Sequence, residues 1–291
     1  MRATADSARA AELATHYGLC ETMLRERDRD LWLAALFVPA ARRRYLHALH
    51  AFTVEIGDAR LKVTQPVLGE MRLRWWADTL SGHGEDGSSA HPVADALLDT
   101  ITKNELDPRD FETFLDSRVA DFYDDPMESM EALLAYCSKA HALPLHWCAK
   151  CVGPSASVEA DTAIENAGIA LGLTQILRGL AGHPGGKGFL PLDLLARHEV
   201  PPQDIPAALD SPRLRAALAE LRALARARFQ AAQRSAPSLD EAARVALLPA
   251  AMTPLYLERM EKRDYHPFQP LREPQPWLRQ WRLWRAARAG L

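Results

Sequence analysis

Gly168-Ile169-Ala170-Leu171-Gly172-Leu173-Thr174-Gln175-Ile176-Leu177-Arg178-Gly179-Leu180-Ala181-Gly182-His183 sets glycines at helical spacing along a mostly apolar run. Gly168, Gly172, Gln175 and Gly179 recur at i, i+4, i+7 and i+11, one stripe of a single helix. Each glycine costs about 1 kcal/mol against alanine in a helix interior, so a packing or cavity requirement must keep them there. Two readings fit the stripe: close helix-to-helix contact, or the wall of a cavity. A second stretch, His50-Ala51-Phe52-Thr53-Val54-Glu55-Ile56-Gly57-Asp58-Ala59-Arg60-Leu61, has the same helical character and carries two acids, Glu55 and Asp58.

The rest of the chain follows the same period. Alanine, leucine, arginine and glutamate dominate, β-branched residues are sparse, and apolar positions recur at helical spacing. The expected fold is all-α, with helices over about 8–18, 40–60, 65–82, 91–103, 109–123, 127–151, 157–181, 211–233, 238–247, 250–263 and 275–289. Pro39 and Pro66 mark starts, Pro191 and Pro201 interrupt, and the glycine-rich stretches 81–89 and 182–188 read as loops. No repeat of solenoid length and no sustained heptad is present, so the expectation is one helical domain over 1–291 around a central cavity.

Composition narrows the function classes. Among 291 residues, 48% are hydrophobic and the formal charge is −3, which supports a sizeable core and gives no reason to expect nucleic acid. Four cysteines, Cys20, Cys137, Cys148 and Cys151, are too few for a disulfide framework and point to a reducing compartment. Residues 1–20 lack the apolar core of a signal peptide, and no run approaches the ~20 apolar residues that cross a bilayer. A cytoplasmic protein, soluble or peripheral on the inner membrane face, is expected.

Several segments together resemble one family. Phe37-Val38-Pro39-Ala40-Ala41-Arg42-Arg43, Met71-Arg72-Leu73-Arg74-Trp75-Trp76, Tyr136-Cys137 and Phe189-Leu190-Pro191-Leu192-Asp193-Leu194-Leu195 resemble, in order and spacing, successive motifs of the squalene and phytoene synthases. The resemblance implies an isoprenoid-synthase helical bundle. In that family the two stretches quoted above each carry a DxxxD motif, and the second reads like GxAxQLTNILRD and lines the substrate pocket. Here the pairs are Gly57/Leu61 and Gly179/His183, and the VAGxVG portion has become Ala140-His141-Ala142-Leu143-Pro144-Leu145. The runs 25–37, 51–55 and 63–73 resemble the branch of squalene/phytoene synthase-like assembly factors of respiratory complex I, which also carry degenerate aspartate motifs.

Paired carboxylates at i and i+4 on two helices would hold Mg²⁺ against a substrate diphosphate, whereas glycine and leucine offer no ligand and imidazole is a poor one. The missing carboxylates lead to the expectation of a non-catalytic protein with no metal or cofactor, and the resemblance implies that it acts in complex I assembly through a subunit or assembly intermediate, or binds an isoprenoid or lipid. Phe52, Gly57, Asp58, Leu61, Gly168, Gly172, Gln175, Gly179 and His183 would line its cavity. The alternative is an active prenyl transferase with Glu55 and Asp58 as catalytic residues or displaced Mg²⁺ ligands. Its diphosphate would be held by Arg60, Lys62, Arg72, Arg74, Arg178 or Lys187.

Two further features have bland readings beside sharper ones. Cys148-Ala149-Lys150-Cys151 near His141 and His146 invites a metal, but a lone CxxC in a helix fits small core cysteines better. Trp277, Trp281 and Trp284 lie at i, i+4 and i+7 among Arg279, Arg282, Arg285 and Arg288, with no acid from Gln275 to Leu291. Such a helix either docks its tryptophans on the bundle with the arginines in solvent, which is the expectation, or lies in a membrane interface.

Overall fold

The structure is a computed structural model, and it describes residues 2–81, 91–123, 125–153, 157–182, 189–289 and 291. No strand occurs among the described residues. Packing divides the chain into two compact units, Met1–Tyr123 with His146–Ser155, and Asp124–Leu145 with Ala156–Leu291.

The first unit is built from α1 (Arg2–Arg27), α2 (Arg29–Ala35), α3 (Ala40–Gly57), α4 (Ala59–Lys62), α5 (Pro66–Leu80), α6 (Pro92–Lys103) and α7 (Pro108–Ser117). Pro66, Pro92 and Pro108 each stand at a first helical turn, where a missing N–H costs nothing. The helix expected over 40–60 stops at Gly57 and restarts after Asp58. Helix α1 is longer than expected, and the short α2 was not expected; Asp28 starts α2 by accepting from the N–H groups of Asp30 and Leu31. The core is aromatic. Phe52 meets Trp76 edge-on at 5.0 Å between centroids, and Phe111 stacks on Trp147 at 4.0 Å.

The second unit holds α8 (Met130–Cys137), α10 (Val158–Gly179), α11 (Leu192–Arg197), α12 (Pro212–Ser235), α13 (Glu241–Ala246), α14 (Thr253–Met260) and α15 (Pro276–Ala289), while α9 (Leu143–Val152) begins here. Helix α10 packs along α12, and Arg228 of α12 donates to Asn166 of α10 at 3.2 Å. The continuous helix expected over 127–151 is interrupted by a π turn at Ser138–Ala142, closed by the Leu143 N–H donating to the Ser138 carbonyl. Pro144 supplies the cause. It has no N–H for the Ala140 carbonyl and its ring crowds that group, and a widened turn relieves both.

That widened turn explains two of the four positions in the opening stripe. A Cβ on Gly168 would lie 2.4 Å from Ala142 Cα, and one on Gly172 would lie 2.6 Å from the His141 ring and 2.9 Å from Cys137 Sγ. Close contact with the backbone of the π turn therefore accounts for Gly168, and the side chains of His141 and Cys137 account for Gly172. The glycines are complementary to the bulge that Pro144 creates.

The C-terminal helix departs from expectation. Helix α15 lies against the 3₁₀ turn Leu248–Met252, burying Arg279, Leu283 and Ala286, while Trp277, Trp281 and Trp284 are exposed. The tryptophans point away from the face that docks. Arg279 goes inward because Glu273 pairs with it, and Arg282 because its Nε donates to the Ala251 carbonyl at 3.1 Å.

Two stability predictions follow from this packing. Gly168→Ala forces backbone to move and is expected to cost about 1–3 kcal/mol, whereas Gly18→Ala, in open space on α1, should gain up to about 1 kcal/mol; thermal melts of the two variants give the comparison. Burial holds His50, which faces Cys148 Sγ at 3.7 Å, neutral down to about 3, against an ordinary value of 6.5. The unfolded chain takes up that proton first, so stability falls as pH drops through this window, by up to about 1.4 kcal/mol per pH unit. His50→Leu should flatten the acid limb of denaturant-derived stability measured between pH ~6 and ~4.

Candidate functional site

The two motif stretches fall in different units. In the first, α3 carries Phe52, Glu55 and Gly57, and α4 carries Arg60, Leu61 and Lys62. Phe52 is fully buried among Trp76, Phe111, Phe114 and Trp147, so its ring belongs to the unit's core. Leu61 is 73% exposed. A Cβ on Gly57 would meet Arg118 Nη2 at 3.5 Å, an ordinary contact, so packing does not force glycine there. This is unlike Gly168.

The acids of this half are already engaged. Glu55 is buried and accepts from Lys62 Nζ at 3.1 and 3.2 Å and from Arg72 Nη2. Burial alone would raise its carboxyl, but Lys62 and Arg72 outweigh burial and hold it below the ordinary carboxylate value. A carboxylate held so is an anion at neutral pH and a weak base. Asp58 accepts from Arg27 of α1. Of the candidate diphosphate cations, Lys62 and Arg72 thus converge, but on Glu55. Arg74 sits in solvent beside Asp78 at 3.1 Å, and Arg60 is half-buried.

In the second unit, Gly168 and Gly172 press on the π turn, while Gln175 and Gly179 are half-buried further along α10. His183 and Lys187 lie outside the described residues. Arg178 pairs with Glu273 at 3.1 Å and lies 3.8 Å above the Tyr256 ring, and Glu273 also receives Arg279 of α15. Arg178 is the inner end of a clamp on the C-terminal helix. The retained Leu190–Leu195 motif is structural too: Asp193 accepts from the Met130 N–H at the start of α8 at 3.1 Å, and the Leu192 N–H donates to Met127 O at 2.9 Å. Phe189 stacks on Tyr136 at 5.0 Å.

The CxxC pair is core. Cys148 and Cys151 are buried free thiols, and burial pushes Cys151 up to about 12, far from the thiolate a metal needs. Spacing did not foretell one cluster: Glu12, His16 and buried Asp95 bring their ligand atoms within 4.8 Å of one another. Arg9 donates to Glu12 at 2.9 Å and to Asp95 at 3.3 Å, which makes the cluster an ion-pair knot between α1 and α6. Only the long separation of residues 9–16 from 95 hid it.

Similar proteins share this architecture. The squalene/phytoene synthase family profile matches residues 24–285. A mouse protein named NADH dehydrogenase (ubiquinone) complex I, assembly factor 6, is 26% identical over 252 residues, covering 86% of this chain and 75% of that protein. Its human counterpart is 25% identical over 256 residues, covering 88% and 76%. A crystal structure of a dehydrosqualene synthase in complex with ligand matches with a TM-score of 0.79 at 19% identity, over 97% of this chain and 98% of the other. The all-α frame, the ordered motifs and the extent of these matches agree: the chain belongs to the squalene/phytoene synthase family.

Proposed function

We propose that the chain is a non-catalytic member of this family that serves assembly of a complex I-type NADH–quinone oxidoreductase by binding one of its subunits or intermediates. The observation that carries this reading is the state of the acids at the first motif. Glu55 is spent on Lys62 and Arg72, and Asp58 on Arg27. Prenyl diphosphate ionisation needs carboxylates free to hold Mg²⁺ and cations free to take the diphosphate. Here the acids and several of the cations cancel one another. The relatives named as complex I assembly factors, matched over most of the chain, supply the direction of the role.

The chemical test is direct. Purified protein with Mg²⁺ and farnesyl or geranylgeranyl diphosphate is expected to release no pyrophosphate and to gain no Mg²⁺-dependent thermal stability from diphosphate. Magnesium-dependent release that disappears in Asp58→Ala would establish an active prenyl transferase instead. The biological arm asks whether deletion of the gene lowers assembled NADH–quinone oxidoreductase in the host and whether a tagged chain retrieves its subunits. Unchanged enzyme levels would remove the assembly reading.

Glu55 should then matter to folding alone. Glu55→Gln keeps the shape but leaves Lys62 and Arg72 without their counter-charge, and a loss of about 1–3 kcal/mol is expected by denaturant titration. Host NADH–quinone oxidoreductase levels should follow the stability of the variant and show no separate defect.

A further inference from the structure

Helix α15 is inverted relative to an ordinary surface helix. Arg279, Leu283 and Ala286 are buried, whereas Trp277 is 62% exposed and Trp281 and Trp284 are each 46% exposed. The three rings recur at i, i+4 and i+7 and so share one outward stripe. Arg285 and Arg288 lie on this outer side, their guanidinium carbons 5.5 Å from the Trp281 ring centroid and 4.3 Å from that of Trp284. A chain that spends an ion pair to bury Arg279 and a carbonyl to hold the half-buried Arg282, and leaves three tryptophans in water, has kept the large aromatics for another surface.

We propose that this stripe is a docking face for an anionic lipid surface. Three features select lipid as the occupant. The stripe is a convex ridge on one helix, made of tryptophan, whose amphipathic ring settles at headgroup level where its N–H stays wet. The exposed cations stand directly beside the rings, and residues 275–291 contain no acid, so the face complements anionic headgroups in charge. Among the described residues no helix is long and apolar enough to cross a membrane, so contact through these helices is interfacial. The proposal stands apart from the assembly role, since it concerns where the chain resides and not what it binds there.

The test uses the full-length chain and vesicles of phosphatidylcholine with or without about 30 mol% phosphatidylglycerol. Flotation with the anionic vesicles is expected, with a blue shift of tryptophan emission and release on raising salt from about 50 to 500 mM. W277S/W281S/W284S changes exposed positions only; it should melt like the parent and lose at least about tenfold in partitioning. R285Q/R288Q should keep weak binding and lose the preference for anionic lipid. Absence of flotation by the parent would overturn the proposal, as would equal flotation of the triple-tryptophan variant. So would a triple variant that loses a protein partner in the absence of lipid while vesicle binding persists.

Discussion

A buried carboxylate sets the terms for the first half of the molecule. Glu55 sits inside the turn from α3 to α4 and within reach of α5, where an uncompensated charge could not remain. Lys62 and Arg72 answer it from two different helices, so one desolvated anion holds three elements in register. The same arrangement bears on the local chemistry. A carboxylate stabilised by two cations is a poor proton acceptor, and cations held by a carboxylate are poor receptors for a diphosphate. The ion pairs that order this half are the same ones on which the proposed non-catalytic role rests.

The second half depends on complementarity of shape. Pro144 cannot continue an α-helix without releasing the Ala140 carbonyl, and the π turn that results pushes Ala142 toward α10. Gly168 accepts the approach because it has no Cβ. The proline and the glycine, 24 positions apart in the chain, are halves of one packing solution. Two residues of the motifs shared with the family, Asp193 and Arg178, hold neighbouring segments in place here.

The all-α class and most helices were legible because apolar spacing and proline starts are local signals. The π turn was not, although Pro144 stood in plain view, since a widened turn and a helix end announce themselves with the same residue. At the site, sequence identified Glu55, Lys62 and Arg72 as relevant but assigned them separate chemical roles. That they neutralise one another depends on burial and on the meeting of α3, α4 and α5, which no linear pattern encodes. The knot of Arg9, His16 and Asp95 was hidden for the same reason.

The C-terminal helix shows where periodicity misleads. A stripe of tryptophans with interspersed arginines reads as an aromatic face for the core and a charged face for water, because burial of arginine is normally prohibitive. Two partners remove that penalty. Glu273, shared between Arg178 and Arg279, makes the first inward arginine part of an ion-pair chain, and the Ala251 carbonyl satisfies the second. Once arginine burial is compensated, Leu283 and Ala286 suffice to seat the helix, and the larger rings are released to the outside. The direction in which an amphipathic helix faces is thus decided by counter-charges elsewhere in the chain as much as by its own hydrophobic stripe.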